Sequence, residues 1–147
     1  MNASHTRDFN LWIEQTAQLL RSHRWDEIDI EHLIEEVEGL GKSERRAITS
    51  QLTRLLLHLL KWQYQPQRRS DSWLDSITDS RTQIELVILD SPSLKNYPKE
   101  QLEESYQRAR RQAAKQTQML ISIFPEECPY SLEVVLDEDW LPEISDI

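Results

Sequence analysis

Residues 44–63 are so rich in leucine that they predict a helix buried on most of its circumference. Apolar side chains recur there every three or four residues, which is the spacing of one helical face. Leu57 and Trp62 lie beside that face and widen it. A helix of this kind needs neighbours on several sides, so we expect it to form the centre of a helical core. Its main face consists of Ile48, Leu52, Leu55, Leu56, Leu59 and Leu60.

The same spacing predicts further helices over residues 8–22, 30–38, 72–89 and about 98–118, with a short one over 132–136. Gly39 and Gly41 are expected to end the second helix, because glycine is common just past a helix C-terminus. Serine, aspartate and asparagine favour the position before a helix, where the side chain accepts a backbone N–H. The residues expected to begin helices in this way are Asp29, Ser43, Ser72 and Ser131. Asp8 is expected to favour the start of the first helix because its negative charge suits a helix N-terminus.

The fold predicted is all-α: a single compact bundle of about five main helices plus a short C-terminal helix. Two glycines and six prolines leave little turn chemistry for β-hairpins. A chain of 147 residues suits one domain. We expect its core to cover about residues 6–136, with Trp25 packing back on it, and an acidic, loose tail over 137–147.

The composition favours a cytoplasmic protein with no membrane segment. No apolar run approaches the roughly 20 residues needed to cross a bilayer. The first ten residues lack the apolar region of a secretion signal. Cys128 is the only cysteine, which excludes an internal disulfide, and it has no basic neighbour in sequence to activate it as a nucleophile.

The net charge of −9 hides a basic middle between acidic ends. Residues 42–69 carry seven bases and one acid, whereas residues 1–41 carry three bases and nine acids. One interpretation is that the ends fold against the middle and neutralise it. The other is that the middle faces an anionic partner, with the acidic tail competing for that surface.

Residues 61–73 combine aromatic, basic and amide side chains in a short stretch broken by proline, and they are the main binding-site prediction. Such a set suits stacking and phosphate contacts with single-stranded nucleic acid or a nucleotide. The alternative is structural, with the tryptophans buried and the arginines bound to helix ends or to carboxylates of the tail. The predicted binding residues are Lys61, Trp62, Tyr64, Arg68, Arg69 and Trp73.

Glu35 and Glu38 share one face of the second helix, a spacing that can hold Mg²⁺ or Mn²⁺ if another helix adds ligands. His58 is the candidate base or further ligand of such a metal-dependent hydrolase, with Glu35 as its carboxylate. The alternatives are a solvated or ion-paired acidic face for the glutamates, and a hydrogen-bonded position at the core edge for His58. No cofactor other than this Mg²⁺ or Mn²⁺ is implied.

Two short motifs, HLLKWQYQP-x-RR at residues 58–69 and FPEECPY-x-L at 124–132, carry a resemblance that extends over about residues 6–142. The chain resembles the family known as domain of unknown function number 29, which is abundant in cyanobacteria. The resemblance implies a compact all-helical cytoplasmic domain. It implies no activity and no catalytic residue.

Three classes of function follow. The first is a non-enzymatic binding or interaction module, which binds a protein partner or forms a homo-oligomer through its leucine-rich surface. The second is an RNA- or DNA-associated protein, of the kind found in toxin–antitoxin pairs, that uses segment 61–73. The third is the metal-dependent hydrolase built on the acidic helix and His58.

Overall fold

The computed structural model describes residues 8–144, which form helices joined by short turns and contain no β-strand. Five α-helices follow one another along the chain: α1 (Phe9–Arg21), α2 (Ile30–Tyr64), α3 (Asp71–Asp90), α4 (Tyr97–Thr117) and α5 (Leu132–Leu136). Short 3₁₀ turns lie at Trp25–Glu27, Pro66–Arg68, Pro92–Leu94 and Ile121–Ile123. The all-α fold class is therefore confirmed.

The chain divides into two compact units, the first ending at Lys42 and the second beginning at Ser43. In the first unit, α1 packs against the beginning of α2, and the ring centroids of Trp12 and His32 lie 4.1 Å apart. Both side chains are buried, at 4% and 8% exposure. Trp25 was expected to pack on the core, but it is 55% exposed and stacks on His23 instead.

The second unit contains the leucine-rich part of α2, and the prediction of a central helix is correct there. Every residue of the predicted main face has an exposure of 0%, and Leu57 has 6%. Helix α3 runs antiparallel to α2, since Arg54 contacts Asp79 whereas Lys61 lies over Trp73. Side chains from four other elements complete this core: Ile77, Ile84, Tyr106, Ala109, Ala113, Phe124 and Val135.

The prediction that Gly39 and Gly41 end a helix is wrong, because α2 runs through them for 35 residues. Neither glycine adopts a positive φ, and Ser43, expected to cap a new helix, lies inside the same one. A glycine inside a helix costs only about 1 kcal/mol relative to alanine. The flanking glutamate, leucine, lysine and arginine residues are strong helix formers, so the helix continues.

Replacing Gly39 by alanine is expected to raise the free energy of unfolding by about 0.5–1 kcal/mol. An added Cβ would meet no atom within 4 Å, and the backbone is already helical. Urea unfolding of the variant and of Lys42→Ala, a control at a neighbouring exposed position, would measure the change. A lower free energy of unfolding in Gly39→Ala would contradict the expectation that the backbone at this position accommodates an alanine.

The other helix ends follow capping chemistry. Ser131 accepts a hydrogen bond from the N–H of Val134, as expected. Asp8 was expected only to favour the helix start by its charge, and it also caps α1 by accepting from the N–H of Leu11 at 2.9 Å. Helix α3, however, is capped by Ser70, which accepts from the N–H of Trp73, and not by Ser72. The two hydroxyls lie 2.9 Å apart, and only the earlier serine has the extended backbone of a cap.

The acidic tail is packed, not loose, as far as Pro142. The Trp140 ring meets Tyr130 edge-on, with 5.5 Å between centroids, and Leu141 also packs on the core. The Arg81 guanidinium donates to the carbonyls of Val135 and Trp140, each at 2.8 Å. A buried arginine therefore ties the C-terminal segment to α3.

Candidate functional site

Residues 61–73 form a corner between the end of α2 and the beginning of α3, and we call this segment the basic corner. Pro66 opens a 3₁₀ turn that reverses the chain, and the Ser70 cap starts α3 directly afterwards. The turn brings Lys61 close to Trp73 and Arg69 close to Trp62. Four of the six predicted binding residues therefore form two contacting pairs.

Lys61 and Arg69, two of the three cations of the basic corner, lie over tryptophan rings of the same segment. The Lys61 ammonium lies 4.8 Å from the Trp73 ring centroid and donates to the Gln116 side chain at 3.0 Å. The Arg69 guanidinium lies 4.3 Å from the Trp62 ring, and its Nε donates to the Trp62 carbonyl at 2.9 Å. Partial burial lowers the pKa of Lys61. Each of these two indole rings therefore has one face covered by a cation of the same chain.

The other two predicted binding residues lie in different environments. Tyr64 turns towards the core, where its ring meets Phe124 edge-on at 5.2 Å, and burial raises its pKa. Arg68 is exposed at the surface. Within residues 8–144, no carboxylate lies within 4.0 Å of the charged groups of Lys61, Arg68 or Arg69. The basic corner therefore keeps its positive charge but offers little free aromatic surface.

His58 has a structural partner. Its ring Nδ1 lies 2.8 Å from the Arg54 carbonyl, one turn earlier on α2, so this nitrogen carries the donated proton. Burial is the main cause that lowers the pKa of His58, and the charges of Lys61 and Arg54 lower it further. The imidazole is accordingly neutral at pH 7. This is the hydrogen-bonded histidine of the structural alternative.

Glu35 and Glu38 are exposed on α2 in the first unit, whereas His58 belongs to the second. A Glu35 carboxylate oxygen lies 3.8 Å from Nδ1 of His32, and Glu36 lies equally close to the other ring nitrogen. Among residues 8–144, no group of three or more histidine, cysteine, aspartate or glutamate side chains is arranged to hold a metal ion. The Mg²⁺ or Mn²⁺ site stays a prediction.

Cys128 is half-buried, and its thiol lies 3.5 Å from the Tyr130 carbonyl. Burial raises the pKa of the thiol to about 11, and the nearby Glu103 carboxylate contributes to the rise. The thiol is therefore protonated at pH 7. This protonation state agrees with the expectation that it is no nucleophile.

The sequence analysis missed two exposed apolar stripes in the first unit. On each helix the residues are spaced by three, four or seven positions, so they share one face. All six are between 38% and 58% exposed. The α1 stripe consists of Phe9, Ile13 and Leu20, and the α2 stripe consists of Ile30, Ile34 and Val37.

These stripes remain exposed because the core of the first unit is small. The first unit is short, and its described part buries only two large apolar side chains, Trp12 and Ile28. On α2 it is His32, not the aliphatic stripe, that faces the Trp12 ring. Two helices cannot enclose apolar residues on several of their faces, so some of these residues had to remain outside.

A second feature that the sequence did not indicate is a groove of about 760 Å³ in the second unit. Side chains of α3, of the start of α4 and of α5 line it. We call it the α3–α5 groove. Its lining combines aliphatic residues with both lysines and glutamates.

The fold and these surfaces define an all-helical protein whose described residues present apolar and charged surfaces. No helix between residues 8 and 144 has the combination of length and apolarity that crossing a bilayer requires.

The chain belongs to the family described as "Domain of unknown function DUF29", whose model matches residues 5–141. The match confirms the resemblance carried by the two motifs. No curated protein and no solved structure matches the chain.

Proposed function

We propose that the protein is a non-enzymatic interaction module that docks a basic amphipathic helix of a protein partner on the exposed α2 stripe of the first unit. The observation that supports this proposal is that Ile30, Ile34 and Val37 share one face of α2 and are 46–58% exposed. Exposed apolar surface that extends along one helix face marks an interaction site. A partner helix would pack its own apolar face on this stripe.

Charge supports a basic partner over a second copy of the chain. Residues 1–41 carry nine acids and three bases, so two copies of this unit would repel each other. Within the described residues, Glu31 and Glu38 make no ion pair, and both flank the α2 stripe. Lysines on the edges of a docked helix would meet these carboxylates.

The buried leucines of α2 are not available for such docking. The hypothesis that a leucine-rich surface mediates self-association fails, because these side chains are fully covered within the second unit. The proposal of an interaction module therefore depends on the first unit alone. The nucleic-acid hypothesis has weaker support, since the indoles of the basic corner are half-buried and each carries a cation of the chain on one face.

The test uses a synthetic amphipathic helix with leucines on one face and lysines on the other, titrated calorimetrically into the full chain. A peptide with glutamate in place of every lysine is its control. We expect the lysine peptide to bind at least about tenfold more tightly, and added salt to reduce the difference. Ile34→Glu with Val37→Glu is expected to weaken binding by about a hundredfold, since a carboxylate would enter an apolar contact.

Leu86→Glu with Leu89→Glu supplies the matched control, because these two leucines are 48% and 66% exposed and are also three residues apart. This pair is expected to leave peptide affinity unchanged. Equal losses for both double variants, or equal binding of the two peptides, would overturn the proposal. Sedimentation that shows a dimer abolished by the Ile34 and Val37 changes would identify a second copy as the occupant and overturn the basic-helix assignment.

A further inference from the structure

The α3–α5 groove has an aliphatic floor of a size typical for small-molecule sites. Its volume of about 760 Å³ lies within the roughly 300–1,000 Å³ of known ligand pockets. Along α3, the lining extends from Thr78 to Leu89, about 16 Å at 1.5 Å per residue. The apolar floor is therefore elongated, which suits a linear hydrocarbon chain better than a flat ring system. Its aliphatic members are Ile84, Ile88, Leu89, Leu132 and Leu136.

One wall of the groove is cationic. Lys95 and Lys99 line it where the chain passes from α3 into α4, and both are exposed. Neither ammonium group has a carboxylate within 4.0 Å in the part of the chain that the structure describes. Asn96 lies between them, and its amide makes no capping bond to the helix it precedes. Two ammonium groups and a free amide can hold a carboxylate.

The carboxylates of the groove lie on other elements. Glu85 belongs to α3, Glu133 to α5, and Glu138 follows α5. Arg81, the remaining charged lining residue, already donates to two backbone carbonyls. An anionic group in this groove is therefore attracted to Lys95 and Lys99 and repelled by the three glutamates. This separation of charge orients a ligand that has a single anionic head.

We infer that the α3–α5 groove binds a single-chain aliphatic carboxylate, with its chain along α3 and its head on Lys95, Asn96 and Lys99. The apolar floor accounts for the chain, and the unpaired lysines account for the head. The groove lies within the second unit. The inference therefore does not depend on the docking role of the first unit.

The experiment titrates decanoate, decanol and decylammonium, each below its micelle concentration, into the full chain and follows the methyl NMR signals of Ile84 and Ile88. Decanoate is expected to bind most tightly and to shift both signals. Lys95→Glu with Lys99→Glu should weaken decanoate binding about tenfold and leave decanol binding unchanged, because only the carboxylate meets the reversed charges.

Arg111→Glu with Lys115→Glu is the matched control, since it makes the same charge change at exposed positions further along α4, outside the groove lining. Decanoate affinity should hardly change in this control. Equal affinity for the three ligands, or an equal loss in both double variants, would overturn the inference. Cosedimentation with anionic phospholipid vesicles but no shift by monomeric decanoate would point to a membrane surface and would also overturn it.

Discussion

Replacing Arg81 by leucine is expected to lower the free energy of unfolding by about 3–5 kcal/mol, because it removes two charge-assisted hydrogen bonds and leaves their acceptors buried. The guanidinium is only 7% exposed, and it reaches the carbonyls of Val135 and Trp140 with two different nitrogens. Burial lowers its pKa, and the nearby Asp137 carboxylate partly opposes this shift.

Urea unfolding measures the loss, and tryptophan fluorescence reports whether Trp140 leaves Tyr130. Arg81→Lys is expected to recover only part of the stability, since a single ammonium group cannot reach both carbonyls as the forked guanidinium does. Arg110→Leu is the matched control. Arg110 also donates to two carbonyls, those of Phe124 and Ile121, but it is only half-buried, so its replacement should cost about 1 kcal/mol. Equal losses at both arginines would contradict the role of burial.

Local signals in the sequence were enough to predict most of the helices. The α4 prediction began at Pro98 and the structure begins α4 at Tyr97, because proline suits the first turn of a helix. Asp8 and Ser131 cap their helices as their side-chain chemistry requires. The leucine spacing of α2 identified the buried face correctly. These features depend on neighbouring residues, which a sequence shows directly.

Features that depend on distant residues were missed. Nothing near Arg81 in sequence indicates that its partners lie more than fifty positions later, at Val135 and Trp140. The tail was judged loose from its acidic residues, although Trp140 packs on Tyr130. The α3–α5 groove likewise requires three helices to be placed before it exists.

The candidate functional site shows the same difference between local features and features that depend on distant residues. Proximity within the basic corner followed from its short turn, so the segment was found. Whether Lys61 and Arg69 would face solvent or lie over indole rings depends on side-chain packing, which no spacing rule determines. The helical spacing of Ile30, Ile34 and Val37 predicted a helix but not their exposure, since the period alone does not distinguish a buried face from an exposed one.

Substituting alanine at one buried and one exposed position of α2 should separate a core face from the proposed partner face on one helix. Leu59 has an exposure of 0%, so Leu59→Ala is expected to cost about 3 kcal/mol through lost burial and the cavity left behind. Val37 is 58% exposed in the α2 stripe, so Val37→Ala should change stability by less than about 0.5 kcal/mol.

Urea unfolding of both variants measures this difference, and Leu57→Ala, at 6% exposure, should resemble Leu59→Ala. A comparable loss at Val37 would show that the first unit buries the α2 stripe in the free protein, and the docking proposal would then lose its surface. A small loss leaves these side chains in water at a cost that only a partner removes, because exposed apolar area gains free energy when it is covered. Under the docking proposal, the exposed α2 stripe is the surface that a partner helix would cover.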